Sequence, residues 1–116
     1  MNNKQVYGLT GEEHAYKYLK KHGYKILERN YRCPIGELDM IAMHNGELVF
    51  VEVKSRNSLA YGRPCEAVDW AKQQKIQRLA EYYINYKRWF NLNVRFDVVE
   101  VLGDEINLIQ NAWEVE

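Results

Sequence analysis

The sequence predicts an α/β chain in the order α-β-β-β-α-β-β, a mixed sheet with helices packed on it. Three observations carry this reading. Thr10-Gly11-Glu12-Glu13 has the pattern of a helix capping box. Asn45-Gly46 stands between two apolar stretches, the strongest short hairpin cue. Val68, Ile76, Leu79, Ala80, Tyr83 and Ile84 recur at helical spacing.

The elements follow in order. With Thr10 at the N-cap and Glu13 at the third helical position, a helix runs from about Gly11 to His22. It shows Ala15, Tyr18 and Leu19 on one face, and Gly23 stops it. Tyr24 to Tyr31 reads as a strand, with the turn Cys33-Pro34-Ile35-Gly36 behind it. Glu37 to His44 and Glu47 to Lys54 are the arms of a hairpin, because a type I′ turn needs positive φ at both central residues. Ser55 to Pro64 is a loop. Glu66 to about Phe90 is a long helix, broken by Asn91-Leu92-Asn93. Val94 to Leu102 is a strand, Gly103-Asp104 a turn, and Ile106 to Trp113 a last short strand.

Length and composition narrow the function classes. At 116 residues the chain makes one domain, able to bury roughly two-thirds of its unfolded surface. A hydrophobic content of 47% argues against disorder. No apolar run approaches the roughly 18 residues of a membrane span. Met1 to Tyr7 is polar, which argues against export. Cys33 and Cys65 have no CxxC or Cys/His spacing, so free thiols in a reducing cytoplasm are expected, and neither a disulfide framework nor a zinc site is. The net charge is zero but segregated. Residues 1–32 carry +4, 33–55 carry −3, 56–90 carry +4 and 91–116 carry −5. A short acidic centre between basic segments suits a metal site flanked by phosphate-binding surface; solvated Lys and Arg on outer helix faces give the same pattern. Neutrality therefore does not exclude a polyanion as partner.

The hairpin forces carboxylates together. With a loop of only Asn45-Gly46, opposed residue numbers sum to 91, so Asp39 faces Glu52 and Glu37 faces Lys54. Side chains alternate, and these four share one face with Ile41, Met43, Leu48 and Phe50. Leu38, Met40, Ala42, Val49, Val51 and Val53 take the other. Like charges directly opposed across strands destabilise the pair, a cost that a divalent cation between them would offset. A solvated surface network, with Glu37 on Lys54, is the competing account. Hard carboxylate oxygens with no His or Cys suit Mg²⁺ or Mn²⁺. Such an ion activates water and polarises a phosphoryl oxygen, and a lysine beside it stabilises developing charge. That is the chemistry of phosphodiester hydrolysis.

Asp39 followed by Glu52-Val53-Lys54 resembles the D…(D/E)xK signature of the restriction-endonuclease-like nuclease superfamily. The likeness is closer to the YraN-like family of predicted bacterial endonucleases, related to archaeal Holliday-junction resolvases. Its matching stretches cover nearly the whole chain: Gly8-x-x-Gly11-Glu12-x-x-Ala15, Gly23-Tyr24 through Arg32, Gly36 through Ala42, Leu48 through Arg56, and Arg95 through Val99. Leu38 stands where the superfamily's written motif has proline. The resemblance implies a restriction-endonuclease-like fold, an α-β-β-β-α-β core with a mixed central sheet flanked by helices, over residues 1–116 as a single domain. It also implies that Asp39 and Glu52 ligate metal, that Lys54 is the catalytic lysine, that Glu12 completes the acidic set, and that DNA, branched or junction DNA included, is the substrate.

Other residues are weaker candidates. Arg56 follows the catalytic strand and is the foremost phosphate contact, with Arg32, Lys72 and Lys75 behind it, and Arg29 and Arg63 after them; each alone also reads as solvated surface charge. Glu37 is an outer acid or a partner of Lys54, and Gln73 and Gln74 are candidates to support the lysine or the water. Trp70, Tyr82, Tyr83, Tyr86, Trp89 and Phe90 exceed what core packing needs, pointing to a homodimer interface or base stacking. His14, His22 and His44 are dispersed and carry no site. The leading expectation is a metal-dependent DNA endonuclease. The alternative is a non-catalytic nucleic-acid-binding or protein-interaction module on a nuclease fold.

Overall fold

Thr10 caps the first helix as its pattern predicts, its Oγ1 accepting the Glu13 backbone N–H at 3.2 Å. The computed structural model describes residues 10–56 and 68–114. Helix α1 spans Gly11–Lys21. Strands β1 (Lys25–Cys33), β2 (Gly36–His44) and β3 (Glu47–Arg56) follow, then helix α2 (Trp70–Lys87) and strands β4 (Asn93–Leu102) and β5 (Glu105–Ile109). The sheet has the order β1-β2-β3-β4-β5. All neighbours are antiparallel except β3 and β4, which α2 joins as a parallel pair. The result is a mixed α/β fold with a five-stranded mixed sheet and, among the described residues, two helices, compatible with the α-β-β-β-α-β core expected.

The β2–β3 hairpin has the predicted register. Met40 pairs with Val51, Ile41 with Phe50 and His44 with Glu47. Asn45 and Gly46 take φ of 51° and 79°, the left-handed pair a type I′ turn demands. Alternation then splits the core. Met40, Ala42, Val49 and Val51 pack with Ala15, Leu19, Val99 and Val101 on the α1 side. Ile41, Leu48 and Phe50 pack with Ile76, Leu79, Tyr83 and Phe96 on the α2 side. No helix among the described residues is long and apolar enough to cross a membrane.

Several expectations are corrected. Leu38 lies in the α2-side core and not with Met40. Asn30, opposite Asp39, has a left-handed φ of 51°, which rotates the β1–β2 ribbon there and carries Tyr31 and its partner Leu38 across. Helix α2 is shorter than Glu66–Phe90. It starts after Asp69, whose Oδ1 accepts the Lys72 N–H at 2.8 Å, and it ends where Arg88 turns left-handed. Ser55 and Arg56 extend β3; the rest of the expected loop, with Arg63 and Cys65, lies outside the described residues, as does Glu66. The last strand stops at Ile109, and the chain beyond it folds back on β4, where the Ala112 N–H donates to the Phe96 carbonyl at 2.7 Å.

At the hairpin-turn end of the sheet a polar network is buried under α1. Arg95 grips Asp97 with two hydrogen bonds of 2.9 Å, donates to Glu47 at 3.0 Å and bonds His44 at 2.9 Å. Tyr24 donates to Asp97 at 2.7 Å, accepts from Gln110 at 2.9 Å, and stacks on His44. The Asn111 backbone N–H completes the shell of Asp97. His44, which the sequence left without a role, is thus a structural member of this cluster.

Candidate active site

Beyond Met40 and Val51 the β2–β3 ladder stops. Asp39 takes over its next donor with a side chain, accepting the Val53 N–H on Oδ2 at 2.7 Å. This fixes the Asp39 carboxylate at the rim of the sheet, where the β1–β2 ribbon rotates. Glu52 reaches it from β3, and Glu12 reaches it from the first turn of α1; both lie within hydrogen-bonding reach of Asp39. Gly11, one residue before, abuts the Ser55 side chain so closely that a Cβ has no room, which seats the start of α1 on β3. Two elements, α1 and β3, therefore each bring an acid to Asp39 on β2.

The electrostatics are unbalanced. Burial, then the hydrogen bond and negative charge of Asp39, push the Glu52 carboxyl up to about 7, with Lys72 pulling the other way. Burial and Asp39 raise Glu12 as well. Among the described residues, no group of three or more His, Cys, Asp or Glu stands ready in a metal-ligating arrangement. The donor chemistry nonetheless suits a hard divalent cation: all oxygen, partly buried, with like charges crowded together.

The other predicted residues fall out as follows. Val53 packs on the α1 side, so Lys54 lies on the Glu52 side of β3, half-buried, in register with the buried Glu100 of β4. Lys72, expected as a phosphate contact, forms an ion pair with Glu52, its Nζ 3.2 Å from Oε2. Glu37 pairs with Arg32 at 3.6 Å. Lys75 lies against Gly36 at the β1–β2 turn. Arg29 is engaged with Glu13 at 2.6 Å and stacks over Tyr16. Gln73 donates to the Val68 carbonyl at 3.0 Å, a helix-end role away from the water or the lysine. The Arg56 side chain lies outside those described. Sequence reasoning missed Lys72 as the counter-ion of Glu52. Its signal was one turn of helix: Lys72 follows the Asp69 cap by three residues, at the end of α2 that meets the site.

Comparison with known proteins gives one consistent family. A family model described as "Uncharacterised protein family UPF0102" matches residues 11–101. A UPF0102 protein of Caldicellulosiruptor saccharolyticus is 48% identical over 117 residues, covering 96% of this chain and 99% of its own. A UPF0102 protein of Caldanaerobacter subterraneus subsp. tengcongensis is 50% identical over 118 residues, covering 96% and 97%. One from Clostridioides difficile is 50% identical over 115 residues, covering 97% and 100%.

Proposed function

The chain belongs to the UPF0102 family, and on that premise we propose that it is a metal-dependent endonuclease that hydrolyses phosphodiester bonds in DNA. The observation that carries the reading is that Glu12 from α1 and Glu52 from β3 each come within hydrogen-bonding reach of Asp39 on β2, with Lys72 beside Glu52. These acids would hold Mg²⁺ or Mn²⁺, which when bound supplies Lewis acidity and an activated water. The protein's own groups do the rest. Asp39 is held in place by the Val53 amide, so it cannot swing away from the site. Lys72 neutralises part of Glu52 and keeps its carboxylate directed inward. Lys54, on the Glu52 side of β3, orients the attacking water or stabilises charge on the phosphate. Arg32 and Lys75, at the end of β1 and on α2, bind phosphates beside the cut.

The test is direct. With Mg²⁺ or Mn²⁺, the protein should cleave at least one of a panel of labelled duplex, forked and four-way DNA substrates, and chelation should stop it. Asp39→Ala, Glu52→Ala and Lys54→Ala should each lower the rate by about 10²–10³-fold or more while the far-ultraviolet circular dichroism stays native. Cleavage that survives all three changes rejects the assignment. DNA binding with no metal-dependent turnover favours the second reading, a binding module on a nuclease fold.

A further inference from the structure

Helix α2 carries a stripe of which the catalytic reading uses only Lys75. Lys75, Tyr82 and Tyr86 are spaced seven and four residues apart, so they fall within about 20° of one line along the helix. The stripe faces the β1–β2 turn across a groove. Lys75 crosses that turn at Gly36, where a Cβ would come within 2.7 Å of its Cε. Two depressions make up the groove and share Arg32 and Cys33. The one at the site end measures about 470 Å³ and is lined by Glu37 and Lys75. The next measures about 290 Å³ and is lined by Tyr31, Tyr82 and Tyr86. Tyr86 is 73% exposed and Tyr82 39%, so core packing does not account for their rings. The site end adjoins the carboxylates, since Lys72, one helical turn before Lys75, touches Glu52.

We infer that this groove holds an unpaired strand of nucleic acid leading out of the carboxylate site, so that the substrate is one in which duplex gives way to single strand. The inference rests on the nuclease reading for its direction, and deepens it. Exposed rings in a groove meet the faces of bases, and those faces are available only when the strand is unpaired. A continuous duplex keeps them in its stack and would offer this surface phosphates alone. Arg32 and Lys75 supply the charge complement to the backbone. The Arg32–Glu37 pair at 3.6 Å is exposed and weak, so a phosphate readily displaces Glu37. The cations stand at the end next to the acids and the rings at the far end, the order in which a strand leaving a cleaved phosphate would need them.

Fluorescence anisotropy with labelled dT15 and a 15-base-pair duplex, in EDTA so that nothing is cut, tests this. The wild type should prefer dT15. The double variant Tyr82→Ala/Tyr86→Ala should bind dT15 at least about tenfold more weakly, and the preference should collapse, with an unchanged thermal midpoint because both rings are exposed. Arg32→Ala/Lys75→Ala should weaken both probes and flatten the salt dependence of dT15 binding by between one and two in log–log slope. Unchanged dT15 affinity in the tyrosine variant, or an equal loss on duplex, overturns the inference. Failure of neither probe to remain unbound, with light scattering showing self-association that the tyrosine variant abolishes, assigns the groove to a protein interface and also overturns it. The two readings separate cleanly. Metal-dependent cleavage alongside tyrosine-independent dT15 binding removes the groove and keeps the nuclease. Tyrosine-dependent dT15 binding without cleavage of any substrate removes the nuclease and keeps the groove.

Discussion

Two polar clusters sit on one sheet, one around Asp97, which is level with Val51 on β3, and one around Asp39 and Glu52, and they are opposites. Around Asp97, every oxygen has a donor: Arg95 twice, Tyr24, and the Asn111 amide. Around Asp39, two further acids crowd in, and Lys72 is the counter-ion bound to Glu52. The first cluster raises the Tyr24 hydroxyl to about 12, chiefly by burial and by its bond to Asp97, and holds the Arg95 guanidinium protonated. The second pushes a carboxyl to about 7. The same residue types fix the fold where their charges match, and leave an electrostatic cost where they do not.

The widest gap should appear between activity and stability. On the nuclease proposal, loss of an acid at the rim should abolish cleavage but leave the fold. Loss of Asp97 should do the reverse. Asp97→Ala strips the buried Arg95 of its two hydrogen bonds to that carboxylate and leaves it Glu47 as carboxylate partner, which costs about 3 kcal/mol, and chemical denaturation should show a correspondingly lower midpoint. Full stability in Asp97→Ala would refute the contrast.

A subtler comparison uses sign. Glu52→Gln removes a charge that the folded state disfavours, so without metal at pH 8 the variant should be more stable than the wild type by about 1 kcal/mol, while losing cleavage. Destabilisation by Glu52→Gln would mean that Lys72 already balances the cluster.

The pH dependence follows from the same group. Below pH 4.5 the Glu52 proton is bound in both folded and unfolded chains. Between 4.5 and about 7 only the folded chain keeps it, so stability falls as pH rises through that window, and above 7 the full cost is present. In EDTA the melting midpoint should drop by ~5 °C from pH 5 to pH 8 relative to Glu52→Gln, whose profile lacks this component. The smallest effect is ligand-linked. Mg²⁺ at millimolar concentration should raise the wild-type midpoint by ~2–4 °C at pH 8, and by less at pH 5.5, where protons compete for the acids. An equal shift in Glu52→Gln would place the ion elsewhere.

Local chemistry made much of this fold legible. The Thr10 cap, the Asn45-Gly46 turn and the register that sums to 91 are short-range consequences of the backbone, and each stands as read. The start of α2 was misread because apolar spacing extends past its cap, whereas Asp69 decides where the helix begins. Leu38 was misplaced because strict alternation cannot anticipate a left-handed Asn30 on the neighbouring strand. At the site, spacing alone put Asp39 and Glu52 together. It could not reach Glu12, which arrives from a different element and came only through family likeness, nor could it show that Lys72 bends inward. The Arg95 network was hidden for the same reason: its members are 24, 44, 47, 95, 97 and 110–111, joined only once the sheet exists.

That network has a consequence for synthesis on the ribosome. All the acids of the site, and Lys54, have been translated by residue 54. Yet β3 lies between β2 and β4, and β4 is tied down near its start by Asn111 and Ala112, while Gln110 holds Tyr24. A nascent chain that carries every reactive group still lacks the strand and the clasp that hold the sheet under them. The sheet that positions Asp39 and Glu52 is thereby complete only after the segment 110–112 has emerged, so a chain cut short before it lacks the frame of the site.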